Sequence, residues 1–307
     1  MIEDEPAEVL LAAACPALAQ RGRDQPRQPQ GERNITYATL DNDHEMQLDL
    51  YFPADIEDAE QAPALVVWVH GGAWMMGHRR PCPLTFLTEH GFAVASVSYR
   101  FAQAAQYPAQ LHDCKAAIRY LRANADAYGY DADRIGVAGG SAGGHLAALL
   151  GTTGNAPETE GELGEHTDTS SAVQAVYDLF GPTDLAAMDE DIPNADENEL
   201  AAFSPITLLL GADPDDRPDL AAAADPATYI DADDPPFIIL QGTRDPLVPL
   251  SQSEYLAEKL EAADVEHRLV VVQNGGHGGW HFQTKDRIDE MIAFFTEHLI
   301  EVEAEDE

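Results

Sequence analysis

Residues 137–151 read VAGGSAGGHLAALLG, with four glycines gathered around Ser141. RIGVAG (134–139) before the serine is a short apolar run of the kind that forms a buried strand, and HLAALLG after it has the composition of a helix. A plain strand-to-helix turn needs about one glycine, so four imply that other groups come very close to the backbone. Gly139-Gly140-Ser141-Ala142-Gly143 also fits G-x-S-x-G, in which the serine occupies a strained turn and its Oγ projects at the C-terminal edge of a sheet. The helix behind such a serine offers free N–H groups to a developing negative charge. A phosphate-binding loop fits poorly, because neither GxxxxGK[ST] nor G-x-G-x-x-G is in register. Taken alone, the pentapeptide also fits a close-packed junction without chemistry.

Outward from this turn, strand and helix signals alternate from about residue 34. Strands are expected at 35–40, 46–52, 64–70, 92–99, 134–139, 174–180, 236–242 and 267–273. The first two are joined by the turn-rich DND and suit an antiparallel hairpin at an edge, whereas the later runs are continuously apolar, as parallel strands buried on both faces are. Helices are expected at 108–129, 253–263 and 286–299, besides the one after Ser141. The pattern predicts a doubly wound α/β architecture of eight mostly parallel strands with helices on both faces. Residues 34–307 read as a single domain with a lid-like insertion at about 185–234, after the sixth strand. Within that insertion, 199–220 suits one or two small helices; residues 152–171 read as a long acidic loop.

Residues 1–33 read as an N-terminal segment and linker. VLLAAACPALAQ (9–20) resembles a degenerate secretion signal, but the acidic MIEDEPAE before it suits a short helix equally well. Both a cytoplasmic and a secreted location therefore stay open. Cys15, Cys82 and Cys114 form neither a disulfide framework nor a zinc signature, and the last two are expected as buried thiols.

The chain of 307 residues carries 55 acidic against 17 basic residues, a formal charge of −38, and its lysines are Lys115, Lys259 and Lys285 only. Such a field repels nucleic acid and anionic membranes and strains the compact state unless salt screens it. An acidic, lysine-poor surface points to a high-salt setting, with a simply acidic protein as the alternative reading.

Three further stretches complete a chemistry around Ser141. HGGAW (70–74) follows a strand, as an oxyanion loop does, so the N–H groups of Gly72, Ala73 and Ala142 are the expected oxyanion donors. Asp245 lies in GTRDPLVP (242–249) just past a strand end, and His277 lies in NGGHGG (274–279) past the next. Ser141, Asp245 and His277 thus stand in the order nucleophile, acid, base.

HGGAW, GGSAGG, GTRDPLVP and GGHGG together resemble the α/β-hydrolase fold. Within it the chain is similar to serine esterases with an HGG[GA]W loop, near the hormone-sensitive-lipase-like carboxylesterases and the feruloyl- and acetyl-xylan-esterase-like enzymes. The resemblance also touches VSYRF (97–101), YPAQLHDCKAAIRYLR (107–122) and LFGPTDL (179–185). It implies hydrolysis of short- to medium-chain acyl esters through an acyl-enzyme, with no metal and no cofactor. A small-molecule ester would be the partner, and the oligomeric state stays open, a homodimer included. The same triad on an amide, as in an arylformamidase or peptidase, and a polysaccharide acetyl or feruloyl esterase are alternatives; a non-catalytic hydrolase-fold binding protein is a third.

Other residues have competing readings. Asp184 in GPTDL is a rival acid; Asp113 suits a structural ion pair; His70 and His145 suit anchoring and packing. His78, His277 and His281 lack the carboxylate spacing of a metal site. Trp74, Met75 and Trp280, with Met76, are expected to line the substrate pocket.

Overall fold

A computed structural model of the chain describes residues 30–54, 61–188 and 204–300. Along β3 (Leu65–Val69) every side chain is buried, and successive residues serve opposite faces of one sheet. Leu65, Val67 and Val69 join the core on one face, and Val66 and Trp68 join the core on the other. The same division recurs in β4 (Ala93–Val97), β5 (Ile135–Gly140), β6 (Ala175–Leu179) and β7 (Phe237–Gly242), which is why these strands read as unbroken apolar runs.

With β1 (Ile35–Thr39), β2 (Glu45–Tyr51) and β8 (His267–Val272), they form an eight-stranded sheet in the order β1-β2-β4-β3-β5-β6-β7-β8. β1 and β2 pair antiparallel, as do β2 and β4, and the remaining pairs are parallel. This is the eight-stranded, mostly parallel sheet of the α/β-hydrolase fold.

Among the described residues the helices are α1 (Ala109–Ala123), α2 (Ala125–Tyr128), α3 (Ala142–Thr152), α4 (Pro205–Leu210), α5 (Pro218–Ala224), α6 (Leu250–Ala262) and α7 (Lys285–Leu299). α1, α3 and α6 cover one face through Leu111, Ile118, Leu146 and Leu256. α7 covers the other with Met291, Phe294, Phe295 and Leu299, a stripe at helical spacing. The expected single helix over 108–129 breaks at Asn124, and its second piece, α2, ends at Gly129 with φ 79°, a left-handed cap.

Three segments differ in detail from the sequence reading. Residues 30–33, expected as linker, extend the sheet edge: Phe52 N–H donates to Gln30 O at 2.7 Å and Leu50 N–H to Glu32 O at 2.8 Å. The rest of the N-terminal segment, Cys15 included, lies outside the described residues, as do 189–203 of the insertion. The described part of the insertion is anchored to the body, with Tyr107 OH donating to Ala223 O at 2.7 Å and Tyr107 N–H to Leu209 O at 2.8 Å. The acidic loop after α3 is pinned rather than free. Buried Lys115 donates to Thr153 O, Glu160 Oε1 and Ser171 Oγ, and buried Arg119 donates to Glu160 and to Leu163 O. Cys82 and Cys114 are free, buried thiols.

Candidate active site

The strand order reverses around β3, and α/β sheets bind ligands beyond the C-terminal strand ends at such a point. There β5 passes into α3 through Ser141, whose φ of 57° and ψ of −124° are strained for a residue with a side chain. The turn is held by Ser141 N–H donating to Leu179 O at 2.8 Å, and by His145 N–H donating to Ser141 O at 3.0 Å.

The loop after β3 presses directly on this turn. A Cβ on Gly71 would stand 2.6 Å from Gly140 O and 3.2 Å from Ser141 Cβ, so the two glycine motifs interlock. Ala73 (φ 51°) and Trp74 (φ 57°) are both left-handed, the region glycine favours, so the [GA] position of the HGG[GA]W loop is one that glycine occupies without strain and alanine does not. Among the described residues the N–H groups of Gly72 and Ala73 have no backbone acceptor. Ala142, as the first residue of α3, has no partner one helical turn earlier. His70 holds the loop from below, its Nδ1 donating to Gly71 O at 2.8 Å and its ring stacked on Tyr99. Burial pushes the His70 imidazole down to about 4, so it is neutral at pH 7.

His277 and Asp245 converge on the serine from the ends of β8 and β7. His277 Nε2 lies 2.8 Å from Ser141 Oγ, and His277 Nδ1 lies 2.7 Å from Asp245 Oδ2. An ionised carboxylate only accepts, so Nδ1 carries the proton and Nε2 accepts from the serine hydroxyl. Asp245 is fully buried on its side chain and accepts four hydrogen bonds, from Leu247 N, Val248 N, Gln241 Nε2 and His277 Nδ1. The acid and base loops are stitched together: Arg244 N–H donates to Gly275 O at 2.8 Å and Asn274 N–H to Thr243 Oγ1 at 2.9 Å. Phe180, at the end of β6 with φ 47°, sets its ring edgewise to His277 at 4.8 Å.

The expected pocket residues separate. Trp74 is 3% exposed and belongs to the core, where its Nε1 donates to His145 Nδ1 at 3.2 Å; the left-handed turn at 73–74 rolls the indole inward. His145 in turn donates from Nε2 to Ala224 O at 2.7 Å, tying α3 to the insertion. Met75 is half-buried, and its carbonyl accepts from Gln103. Met76, Leu247 and Trp280 are the exposed large hydrophobic residues among those described, and they lie on the loops after β3, β7 and β8 respectively.

The rival and structural candidates are also located. Asp184 caps a turn, accepting from Ala186 N and Ala187 N. Asp113 forms a bidentate pair with Arg100. His78 accepts from Arg80 N, and His281 stacks on Trp280, so neither joins His277. Two buried side chains drew no attention in the sequence: Gln241 behind the acid and Asp178 behind the elbow. Asp178 accepts from Gly181 N, and burial pushes its carboxyl up to about 7. Both sit in apolar strand runs, and only the fold shows what they face.

A family model described as BD-FAE matches residues 48–260. Esterase LipC of Mycobacterium tuberculosis is 33% identical over 250 residues, covering 80% of this chain and 59% of its own length. Esterase LipQ of the same organism is 36% identical over 221 residues, covering 70% of this chain and 50% of its own. The chain thus spans only half to three-fifths of these curated relatives. Among solved structures, a truncated carbohydrate esterase from gut microbiota superposes with a TM-score of 0.80 at 32% identity, covering 92% of this chain and all of that one.

Proposed function

The chain belongs to the BD-FAE family of α/β-hydrolase esterases, and on that premise we propose that it is a serine carboxylesterase for short- and medium-chain acyl esters. The observation that carries this reading is the hydrogen-bonded line Ser141 Oγ–His277–Asp245, with both links at 2.8 Å or less.

In this reading Ser141 Oγ attacks the ester carbonyl as its proton passes to His277 Nε2. The new C–O bond pushes the carbonyl electron pair onto oxygen, and the N–H groups of Gly72, Ala73 and Ala142 receive the oxyanion. Each such donor lowers the barrier by about 3 kcal/mol. The tetrahedral intermediate collapses by expelling the alcohol, which takes the proton from His277. Water then enters, gives a proton to His277 and attacks the acyl carbonyl; Ser141 Oγ leaves with that proton returned from His277, which releases the acid and restores the neutral imidazole. Asp245 holds the imidazole tautomer and stabilises the imidazolium throughout.

Similarity to a carbohydrate esterase favours an acylated saccharide as one natural substrate. The exposed Trp280 ring, stacked on His281 and three residues along the chain from His277, supports that choice, since it offers an apolar platform to a sugar ring. The acidic surface, in the same proposal, suits work at high salt.

The test is a panel of p-nitrophenyl acetate, butyrate and octanoate plus an acetylated xylo-oligosaccharide, run on the native chain and on Ser141→Ala. The native protein should turn over the short esters and bind a fluorophosphonate probe at Ser141, and the variant should lose about 10⁴-fold or more in kcat. A variant that kept most of its activity, or a folded native protein that resisted the probe, would sink the proposal.

A further inference from the structure

The hydrogen-bonded line that begins at Ser141 continues past Asp245. Gln241, the penultimate residue of β7, is completely buried, and its carboxamide stands directly behind the acid. Its Nε2 donates to Asp245 Oδ2 at 3.0 Å and to Val248 O at 2.9 Å, while its Oε1 accepts from the Ser253 hydroxyl on α6 at 3.2 Å. Because the carboxylate and the carbonyl can only accept, the amide nitrogen must be the atom that faces them. Both N–H protons and the oxygen of the amide therefore have partners, which leaves its orientation no freedom. Asp245 Oδ2 is also the oxygen that receives the His277 Nδ1 proton, whereas Oδ1 is occupied by the backbone N–H groups of Leu247 and Val248.

We propose that Gln241 is a positioning residue of the relay: it locks the plane of the Asp245 carboxylate and shares Oδ2 with His277, with Ser253 holding the amide in turn. The proposal rests on the Ser141–His277–Asp245 reading above. Two donors on one oxygen lower its basicity, so the imidazole proton stays on Nδ1 instead of crossing to the acid. The same contacts stop the carboxylate from rotating, and rotation would tilt His277 away from Ser141 Oγ. The ionisable group that the amide touches is Asp245, with His277 beyond it.

Two variants test this, with p-nitrophenyl acetate as substrate and Ser141→Ala run alongside. Gln241→Leu removes the donor and should lower kcat by about 10- to 100-fold, with KM within about twofold, as misalignment of a base does. Gln241→Met is nearly the same size and likewise places no donor on Asp245. Without that donor Oδ2 is more basic and holds the His277 imidazolium more tightly, so in both variants the acid limb of kcat/KM should move to higher pH by about half a unit or more. A merely structural glutamine would change the melting temperature and leave that limb in place. Should Gln241→Leu fail to fold, Gln241→Met decides alone. Native kcat and an unmoved acid limb in the folded variants, with Ser141→Ala inactive, would overturn the role of Gln241 only. Turnover by Ser141→Ala would overturn the reading beneath it.

Discussion

A methyl group on Gly143 would overlap the carbonyl oxygens of Val69 and His70, where the end of β3 crosses α3. One on Gly139 would overlap the backbone of Gly143, and one on Gly144 the Asp178 carboxylate. At Gly140 the nearest atoms are ring carbons of Phe180 and Trp68 at 3.5 Å, an ordinary contact. Close approach therefore explains three of the four glycines around Ser141, and Gly140 has room to spare. Gly140→Ala should keep kcat/KM within about threefold, whereas Gly143→Ala should lose more than about 3 kcal/mol of stability or fail to fold. Equal losses in the two variants, followed by denaturant melts and ester turnover, would contradict this account. The spacing of Ser141, Asp245 and His277 was readable because each residue lies just past a strand, where the chain order alone sets the geometry. The fate of Trp74 was not readable, because its direction depends on two consecutive positive φ angles.

At the scale of elements, helix α1 shows what patterning reveals and what it hides. Its apolar positions, Leu111, Cys114, Ile118 and Leu121, mark the sheet-facing side in the sequence and are buried as expected. Lys115 and Arg119 would read as a solvated face, yet both are buried under the acidic loop, where Glu160 bridges them. Removing the Lys115 ammonium takes a donor from buried Thr153 O and Ser171 Oγ while Arg119 still holds Glu160, a loss of about 1–3 kcal/mol. Lys115→Met should therefore lower Tm by roughly 2–5 °C for a chain of this size. An unchanged Tm would mean that the loop is not anchored there. The strands were legible within two residues at each end, the central ones because burial on both faces makes them nearly continuous apolar runs. The break of the long helix at Asn124 was not legible, because nothing in ANADAY marks one turn over another.

For the whole molecule the deciding quantity is charge. Six of the 17 basic residues are engaged with three buried or half-buried carboxylates: Arg33, Arg79 and Arg80 surround the buried Asp49, Arg100 pairs with Asp113, and Lys115 and Arg119 share Glu160. The other eleven face a large excess of carboxylates, and a net charge of −38 works against the compact state. Repulsion between exposed charges is largely screened at molar ionic strength, where the Debye length falls to about 3 Å. Tm should accordingly rise between about 0.1 M and 2 M potassium chloride, a salt chosen over sulfate so that screening rather than surface exclusion is measured. A flat Tm across that range would remove the proposed high-salt adaptation.

The amino-acid sequence by itself determined the eight-stranded α/β sheet, the helices that cover it and the order of Ser141, Asp245 and His277 along the strand ends. Those features follow from local periodicity and from glycines at sharp turns, and both are carried by neighbours in the chain. Tertiary structure alone decided which way Trp74 turned, why three glycines and not four are obligatory, and that Gln241 and Ser253 stand behind Asp245. Each of these depends on a contact between segments distant in sequence, where one strand end meets another element's backbone, and no local pattern encodes that meeting.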